Sequence, residues 1–163
     1  MGQASRLPAM RILVGVVGKP RDANLAGAIR EYEARAGRYW PLDVHEVREE
    51  SARAASADLV REREATRLLA IVPPAAHVVT CESNGRRMTS EEFAAWLQEQ
   101  RERARDVAFL VGGAFGLGEA ARTRASTRLA LAPWTLPHEL ARLVLAEQLY
   151  RAGTIVRGEP YHK

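Results

Sequence analysis

Short apolar runs rich in β-branched residues alternate with amphipathic segments along the chain, and this alternation restricts the fold more than any other feature. The predicted strands are 11–18, 42–49, 77–81, 107–113 and 128–132. The predicted helices are 24–37, 57–71, 90–104, 118–127 and 137–154, the third opened by a Thr89–Glu92 capping box. Strands that alternate with helices favour an α/β fold with a mainly parallel sheet and helices on both of its faces.

The length and the single cysteine indicate one domain in a reducing compartment. A chain of 163 residues fits one domain, which we assign to 10–163, and residues 1–9 are interpreted as a disordered N-terminal extension. Cys81 has no disulfide partner within the chain. Since no run of about 18 apolar residues and no cleavable signal layout is present, we expect a soluble cytoplasmic protein that does not associate with membranes.

The basic residues are almost all arginines, because Lys19 and Lys163 are the only lysines among 24 basic side chains. A net charge of +4 suits a polyanionic partner, and the planar fork of arginine suits bidentate contacts to phosphate. An arginine- and alanine-rich composition is also typical of a bias in genomic base composition. The charge alone therefore does not assign a nucleic-acid partner.

A glycine-rich loop directly follows the strongest predicted strand and precedes a helix. Its four glycines are Gly112, Gly113, Gly116 and Gly118, and we call residues 112–118 the glycine loop. Ligands of parallel sheets lie beyond the carboxyl ends of the strands, and glycine lets a ligand approach the backbone. The spacing matches neither a dinucleotide fingerprint nor a P-loop. A tight turn needs only one or two glycines, so four favour a loop that contacts a ligand.

The segment TLPHEL (135–140) has two interpretations. As a helix start, it offers Thr135 as the N-cap, Pro137 in the first turn and Glu139 beside the positive helix end. As a site, it places the titratable ring of His138 at a helix N-terminus, on the same face as Arg142 one turn later. The residues alone leave both interpretations open.

The final helix is apolar on nearly all sides, with interruptions at Arg142, Glu147 and Arg151. Glu147 and Arg151 are spaced to form an ion pair. A helix that is apolar on all faces must be covered on all faces. Either a second subunit supplies that cover, which predicts a homodimer, or the helix is fully internal.

The sequence offers little for nucleophilic catalysis. No G-x-S-x-G motif is present, and Cys81, which has no evident basic neighbour, is interpreted as a packing residue. His45 and His77 lie isolated in strand patterns and are interpreted as structural. We therefore expect the chemistry to depend on orientation and electrostatics, without a covalent intermediate or a metal.

Residues 109–163 closely resemble the carboxyl half of the RlmH family, the ribosomal large-subunit RNA methyltransferases of the SPOUT class. Three motifs carry the resemblance in order and at the family spacing: the loop VGGAFGLGE, then TLPH, then the terminal PYH. Weaker similarity in RILVGVVGK and HVVTCESNGRRMTSEEFA extends it over almost the whole chain from Met10. The resemblance implies a homodimeric SPOUT domain whose carboxyl-terminal part forms a trefoil knot. It also implies that S-adenosylmethionine binds in the knot, and that N3 of a pseudouridine in 23S rRNA is methylated on the assembled ribosome.

The resemblance assigns residues by position. It implies cofactor contacts from Cys81, with Glu82 beside it, and from Gly113. The rest of the implied cofactor pocket is Ala132, Pro133, Trp134, Thr135, Leu136 and Pro137. The residues implied on the RNA side are His138, Arg142, Tyr161 and His162. Relatives often have a serine-rich segment before TLPH, whereas this chain has LALAPW, so hydroxyl contacts are absent there.

The implied reaction suits these residue types. Methyl transfer from a sulfonium is an in-line displacement, so alignment in a dry site supplies much of the rate. The acceptor imide nitrogen must lose a proton, which a histidine can take directly or through water, and an arginine can stabilise the resulting anion. The sequence leaves open whether His138 or His162 is the base. A rival hypothesis is a non-catalytic RNA-binding or ribosome-associated module, although RNA binding alone would not require the glycine loop and TLPH.

Overall fold

Strands and helices alternate along the chain in the order that the sequence predicts. The computed structural model describes residues 10–51, 53 and 56–162, and of His162 only the backbone. The strands are β1 (Ile12–Val17), β2 (Leu42–Val47), β3 (His77–Arg87), β4 (Val107–Leu110) and β5 (Thr127–Ala130). The helices are α1 (Ala23–Ala36), α2 (Ala57–Ala70), α3 (Ser90–Glu102), α4 (Glu119–Arg124) and α5 (His138–Val156), followed by a 3-10 turn at Pro160–His162. The predicted extension, residues 1–9, lies outside the described residues.

The five strands form one parallel sheet in the order β2-β1-β4-β3-β5. This topology confirms the predicted parallel α/β fold. Because parallel strands end at the same edge of a sheet, the loops that follow the neighbouring strands β4, β3 and β5 lie side by side.

Helices cover both faces of the sheet, as adjacent residues of β4 show. Phe109 packs into a core that includes side chains of α1, α3 and α5. Ala108 and Leu110 pack into a second core, with side chains of α2 and α4. Successive side chains of a strand point to opposite faces, so one short strand supplies both cores. Each large apolar side chain that is fully buried contributes about 1.5–3 kcal/mol.

Side-chain caps begin three of the helices. Thr89 accepts a hydrogen bond from the backbone N–H of Glu92 at 3.1 Å, which confirms the predicted start of α3. Ser56 caps α2 in the same way. In α1 the cap is Asp22, so this helix starts before the predicted residue 24. A side-chain cap of this kind contributes about 1 kcal/mol.

Strand β3 continues to Arg87, although the sequence predicts a loop from residue 82 onward. The added residues pair with β5 across an irregularity between Cys81 and Arg86. Gly85 permits the close approach, because a β-carbon there would lie 2.8 Å from the backbone of Arg128 and Leu129. The strand length is set by this tertiary pairing, which the local residue pattern does not show.

The start of α5 differs from the prediction. The helix begins at His138, Pro137 occupies the N-cap position, and no side chain caps it. The assignment of Thr135 as the N-cap is therefore wrong, since Thr135 lies two residues too early to reach the orphan amides. The carbonyl of Pro137 accepts the first helical hydrogen bond, from Ala141 at 2.9 Å.

Helix α5 packs against α1 and α3 within the protomer. Leu145 and Leu149 are completely covered, whereas Leu140 in the first turns is 36% exposed. The predicted ion pair between Glu147 and Arg151 is present, at 2.6 Å. Within the described part of the chain, no helix combines the length and apolarity that a membrane crossing requires.

Candidate functional site

A cleft of about 670 Å³ opens beyond the carboxyl ends of β4 and β5, beside residues 81–84 in the middle of β3. Its volume falls within the range of small-molecule and cofactor sites, roughly 300–1,000 Å³. Three segments form its walls: the second half of β3, the glycine loop after β4, and the connection between β5 and α5. The position agrees with the rule that ligands of parallel sheets bind beyond the strand ends.

The glycine loop is shaped by contacts that side chains would prevent. A β-carbon on Gly112 would lie 2.6 Å from the carbonyl carbon of Gly116. Gly116 has a φ of +84°, and its N–H donates to the carbonyl of Gly113 at 3.0 Å. The loop therefore folds back on itself and presents bare main chain to the cleft at Gly112, Gly113 and Gly116.

Most of the residues assigned to the cofactor pocket line this cleft. They are Cys81, Gly113, Ala132, Trp134, Thr135, Leu136 and Pro137. Pro133 is exposed and is not among the lining residues. The side chain of Trp134 is also largely in solvent, at 77% exposure.

His138 stands at the boundary between the cleft and a smaller crevice. It lines the cleft as the first residue of α5. On its other side, the crevice is lined by Lys19 from the loop after β1 and by Glu139 and Arg142. Glu139 connects the start of α5 to the loop after β1, because its Oε1 accepts a hydrogen bond from the backbone N–H of Arg21 at 2.7 Å.

Arg142 lies away from the cleft, in the core between α5 and α1. Its guanidinium donates two hydrogen bonds to Glu33, at 2.9 and 3.1 Å, and lies 3.3 Å from a carboxylate oxygen of Glu46. Only 9% of the side chain is exposed. Desolvation alone would lower the pKa of Arg142, but the hydrogen bonds and charges of Glu33 and Glu46 raise it. Within the protomer, the structure thus does not bring Arg142 into the cleft beside His138.

Tyr161 packs on the far part of α5. Its hydroxyl donates to Glu147 at 3.1 Å, its ring lies 4.5 Å from the ring of Tyr150, and the guanidinium of Arg151 lies over it. Desolvation raises the pKa of Tyr161, and Glu147 raises it further. Nine residues separate His138 from Glu147, which is roughly 13 Å along a helix. Within one protomer, Tyr161 and His138 are therefore not brought together, and the side chain of His162 lies outside the described residues.

The cleft also contains polar residues of β3 beyond Cys81, of which only Glu82 is implied by the family resemblance. Glu82 is held by the hydroxyl of Thr80 at 2.8 Å and by the guanidinium of Arg122 at 2.7 Å, and Ser83 and Asn84 line the same wall. These residues reach the cleft because β3 continues past residue 81. Burial raises the pKa of the Cys81 thiol to about 12, and Glu82 adds to this shift, so the thiol stays protonated near neutral pH.

Comparison with known proteins gives the class of this fold and site. A family model described as "Predicted SPOUT methyltransferase" matches residues 10–162. Among solved structures, a probable methylase family protein from Haemophilus influenzae has a TM-score of 0.54 at 13% identity, covering 94% of this chain and 71% of its own. TrmJ from Z. mobilis has a TM-score of 0.52 at 19% identity, covering 88% and 70%. At these identities the two structures show the fold alone. The chain belongs to the SPOUT methyltransferases.

Curated relatives narrow the family. A protein of Gemmatimonas aurantiaca named ribosomal RNA large subunit methyltransferase H is 66% identical over 154 residues, which span 94% of this chain and all of that relative. Relatives of the same name from Anaeromyxobacter and Listeria monocytogenes are 47% and 42% identical, again over 94% of this chain and their full length. Within the SPOUT class, this chain is a member of the methyltransferase H family.

The cofactor of SPOUT methyltransferases is S-adenosylmethionine, and the cleft fits it. At Gly112, Gly113 and Gly116 the backbone of the glycine loop is bare, as an adenosine in close contact requires. Leu117, Leu131 and Leu136 supply apolar surface for a thioether chain. The carboxylate of Glu82 and the side chain of Asn84 add polar groups beside these walls.

Proposed function

We propose that this chain transfers the methyl group of S-adenosylmethionine to N3 of a pseudouridine in 23S rRNA. The substrate is the assembled ribosome, and the enzyme works in the cytoplasm as a homodimer. The observation that carries this proposal is the cleft beyond the carboxyl ends of β4 and β5, lined by the glycine loop, by the segment 131–138 and by residues 81–84 of β3. A relative named for the large ribosomal RNA, 66% identical along its full length, supports the choice of substrate.

In this proposal the cofactor is held mainly by main-chain groups. Cys81, Gly113 and the run 132–137 surround the adenosine and the thioether, and Pro133 sets the course of that run. The bound cofactor supplies a methyl group on a positively charged sulfur. The chain itself contributes alignment and exclusion of water, which are the main requirements of an in-line displacement.

His138 is the proposed base. It is the only histidine that lines the cleft within the described part of the chain, and it can take the N3 proton directly or through one water. The second candidate base is His162. Because Arg142 is committed to Glu33 and Glu46, we assign it a positioning role: it anchors the start of α5 and thereby the ring of His138.

The homodimer would bring the remaining tail residues to a cleft. Tyr161 packs too far along α5 to reach His138 of its own protomer, so we infer that Tyr161 and His162 act at the cleft of the partner subunit. Exposed apolar side chains near the cleft support an interface there: Phe115, Trp134 and Leu140 are 42%, 77% and 36% exposed. The trefoil knot implied by the family resemblance also belongs to this proposal.

Mass spectrometry of nuclease-digested 23S rRNA is the decisive test. We expect a strain that lacks the gene to lose one methylated pseudouridine and to regain it with the intact gene, but not with a His138→Ala variant. Purified protein should methylate assembled ribosomes and leave DNA and protein unlabelled. Persistence of the methylated pseudouridine in the deletion strain would show that the assignment is wrong.

A further inference from the structure

A buried carboxyl group lies behind the glycine loop, on the side away from the cleft. Glu64 of α2 is only 3% exposed. Its Oε2 accepts a hydrogen bond from the backbone N–H of Glu50, just after β2, at 3.1 Å. A β-carbon built on Gly113 would lie 2.8 Å from its Oε1. This oxygen has no hydrogen-bond partner among the residues that the structure describes.

Helix α2 touches the glycine loop at two further points. The guanidinium of Arg61, one turn before Glu64, donates to the carbonyl of Phe115 at 3.3 Å. A β-carbon on Gly118 would lie 2.6 Å from the carbonyl oxygen of Arg61. The loop thus has α2 behind it and the cleft in front of it. Since four of its seven residues are glycines, its shape depends on this backing more than on its own side chains.

We propose that Glu64 is a positioning residue of the cofactor site, whose carboxyl group is hydrogen-bonded to the exit of β2 and packs behind Gly113, and so keeps the glycine loop in its cofactor-binding shape. The inference rests on the cofactor site of the proposed function. Glu64 is not among the cleft-lining residues, so it acts through Gly113. A buried carboxyl group costs free energy unless it is hydrogen-bonded, and an apolar side chain would fill the same space without that cost.

The charge state of Glu64 gives this role a pH dependence. Desolvation raises its pKa, Glu49 and Glu50 raise it further, and the N–H of Glu50 and the charge of Arg67 oppose the shift. The glycine loop itself has no ionisable side chain. A carboxyl whose folded pKa is raised contributes stability below its unfolded pKa and loses it as the pH rises through the folded value. The loop should therefore be held most firmly by the neutral acid, and cofactor affinity should fall as the pH rises.

Three variants of the full-length protein separate positioning from packing. Glu64→Ala removes the carboxyl group, Glu64→Gln keeps its shape and is always neutral, and Glu62→Gln changes an exposed glutamate on the same helix as a control. Cofactor affinity is measured by calorimetric titration with S-adenosylmethionine across pH. Hydrogen exchange of the amides of 112–118 is measured in the protein without cofactor.

We expect Glu64→Ala to weaken S-adenosylmethionine binding at least tenfold and to accelerate exchange in the glycine loop at least tenfold, with α5 changed less than twofold. Glu64→Gln should bind within threefold of the wild type and lose the decline of affinity with pH, and Glu62→Gln should match the wild type. A folded Glu64→Ala protein with wild-type affinity and loop exchange would overturn the proposal. If that variant does not fold, a Glu64→Gln protein with the same pH profile as the wild type would do so. If the wild type binds no S-adenosylmethionine, the proposed function fails, and the exchange measurement still decides the role of Glu64.

Discussion

The two ends of α5 carry the residues that the family resemblance places at one catalytic site, yet they have opposite character. At the amino end, His138 follows an uncapped, exposed segment and borders a cleft of about 670 Å³. At the carboxyl end, Tyr161, Tyr150 and the Glu147–Arg151 pair pack into a closed cluster. The amino end of α5 borders an open ligand cleft, whereas the polar side chains at the carboxyl end are paired with one another.

The side chain of Arg142, one turn into α5, is already buried. Two carboxylates from α1 and β2 hold its guanidinium in the protein interior. Residues on a shared helix face therefore need not belong to a shared site. A motif can bring residues together along the chain, while the packing of each turn decides which of them meets the ligand and which meets the core.

The largest expected effect lies at the open end. His138→Ala should lower methyl transfer to ribosomes by about 10²–10⁴-fold, the usual contribution of a general base, because no other described histidine lines the cleft. Single-turnover assays with labelled S-adenosylmethionine measure this loss. The free energy of unfolding should change by less than about 0.5 kcal/mol. His45→Ala, at an exposed position on β2, is the matched control, and equal rates for both variants would remove His138 from the mechanism.

Arg142→Met should have the opposite profile, since it strips Glu33 and Glu46 of their buried partner. We expect the free energy of unfolding to fall by about 3–5 kcal/mol, as when one member of a buried ion pair is removed. Urea unfolding followed by circular dichroism measures it. Arg30→Met on the exposed side of α1 serves as the control.

A conserved stability with a lost methyl-transfer activity in Arg142→Met would reverse this assignment, because it would place the guanidinium in the reaction and not in the core. The double variant Arg142→Met with Glu33→Gln refines the measurement. Neutralising the partner should recover part of the lost stability, because the cost of an unpaired buried carboxylate is then removed.

The location of the cleft was predictable, because it follows from general rules. Parallel strands put their ends at one edge, and a four-glycine loop after a buried strand marks where backbone is exposed to a ligand. Gly113 and the segment 134–138 follow from those rules together with the family resemblance. The structure places all of them in the lining of one cleft.

The orientation of charged side chains was not predictable. Periodicity puts Arg142 on the same helix face as His138 but does not show that its guanidinium donates to Glu33 of α1, 109 residues earlier. The same limit applies to Glu64, which belongs to a helix rich in charged residues and is nonetheless buried. Long-range pairing likewise extends β3 beyond the predicted end. These features depend on contacts between distant segments, which local patterns do not contain.

The tail offers a smaller test of the closed end. Removal of residues 160–163 should lower methyl transfer at least tenfold, about 1.4 kcal/mol at the transition state, while S-adenosylmethionine affinity stays within twofold.

Tyr161→Phe isolates the hydrogen bond to Glu147 and should cost about 0.5–1.5 kcal/mol of stability. Mixed dimers of a truncated and a His138→Ala protomer should regain activity if the tail acts at the partner's cleft. Full activity of the truncated protein would make the tail a passive end.

The smallest effect on stability and cofactor affinity is expected at Trp134, the most exposed of the large apolar side chains near the start of α5. Trp134→Ala should change the free energy of unfolding by less than about 0.5 kcal/mol, because most of the indole is in solvent. It should change S-adenosylmethionine affinity less than threefold, since this segment offers the cofactor its backbone. Leu136→Ala provides the contrast. The Leu136 side chain packs against the core that α5 shares with α1 and α3, and its loss should cost about 1–2 kcal/mol of stability. A tenfold loss of cofactor affinity in Trp134→Ala would show that the indole folds over the bound cofactor. The Trp134 ring would then be exposed only when the cleft is empty.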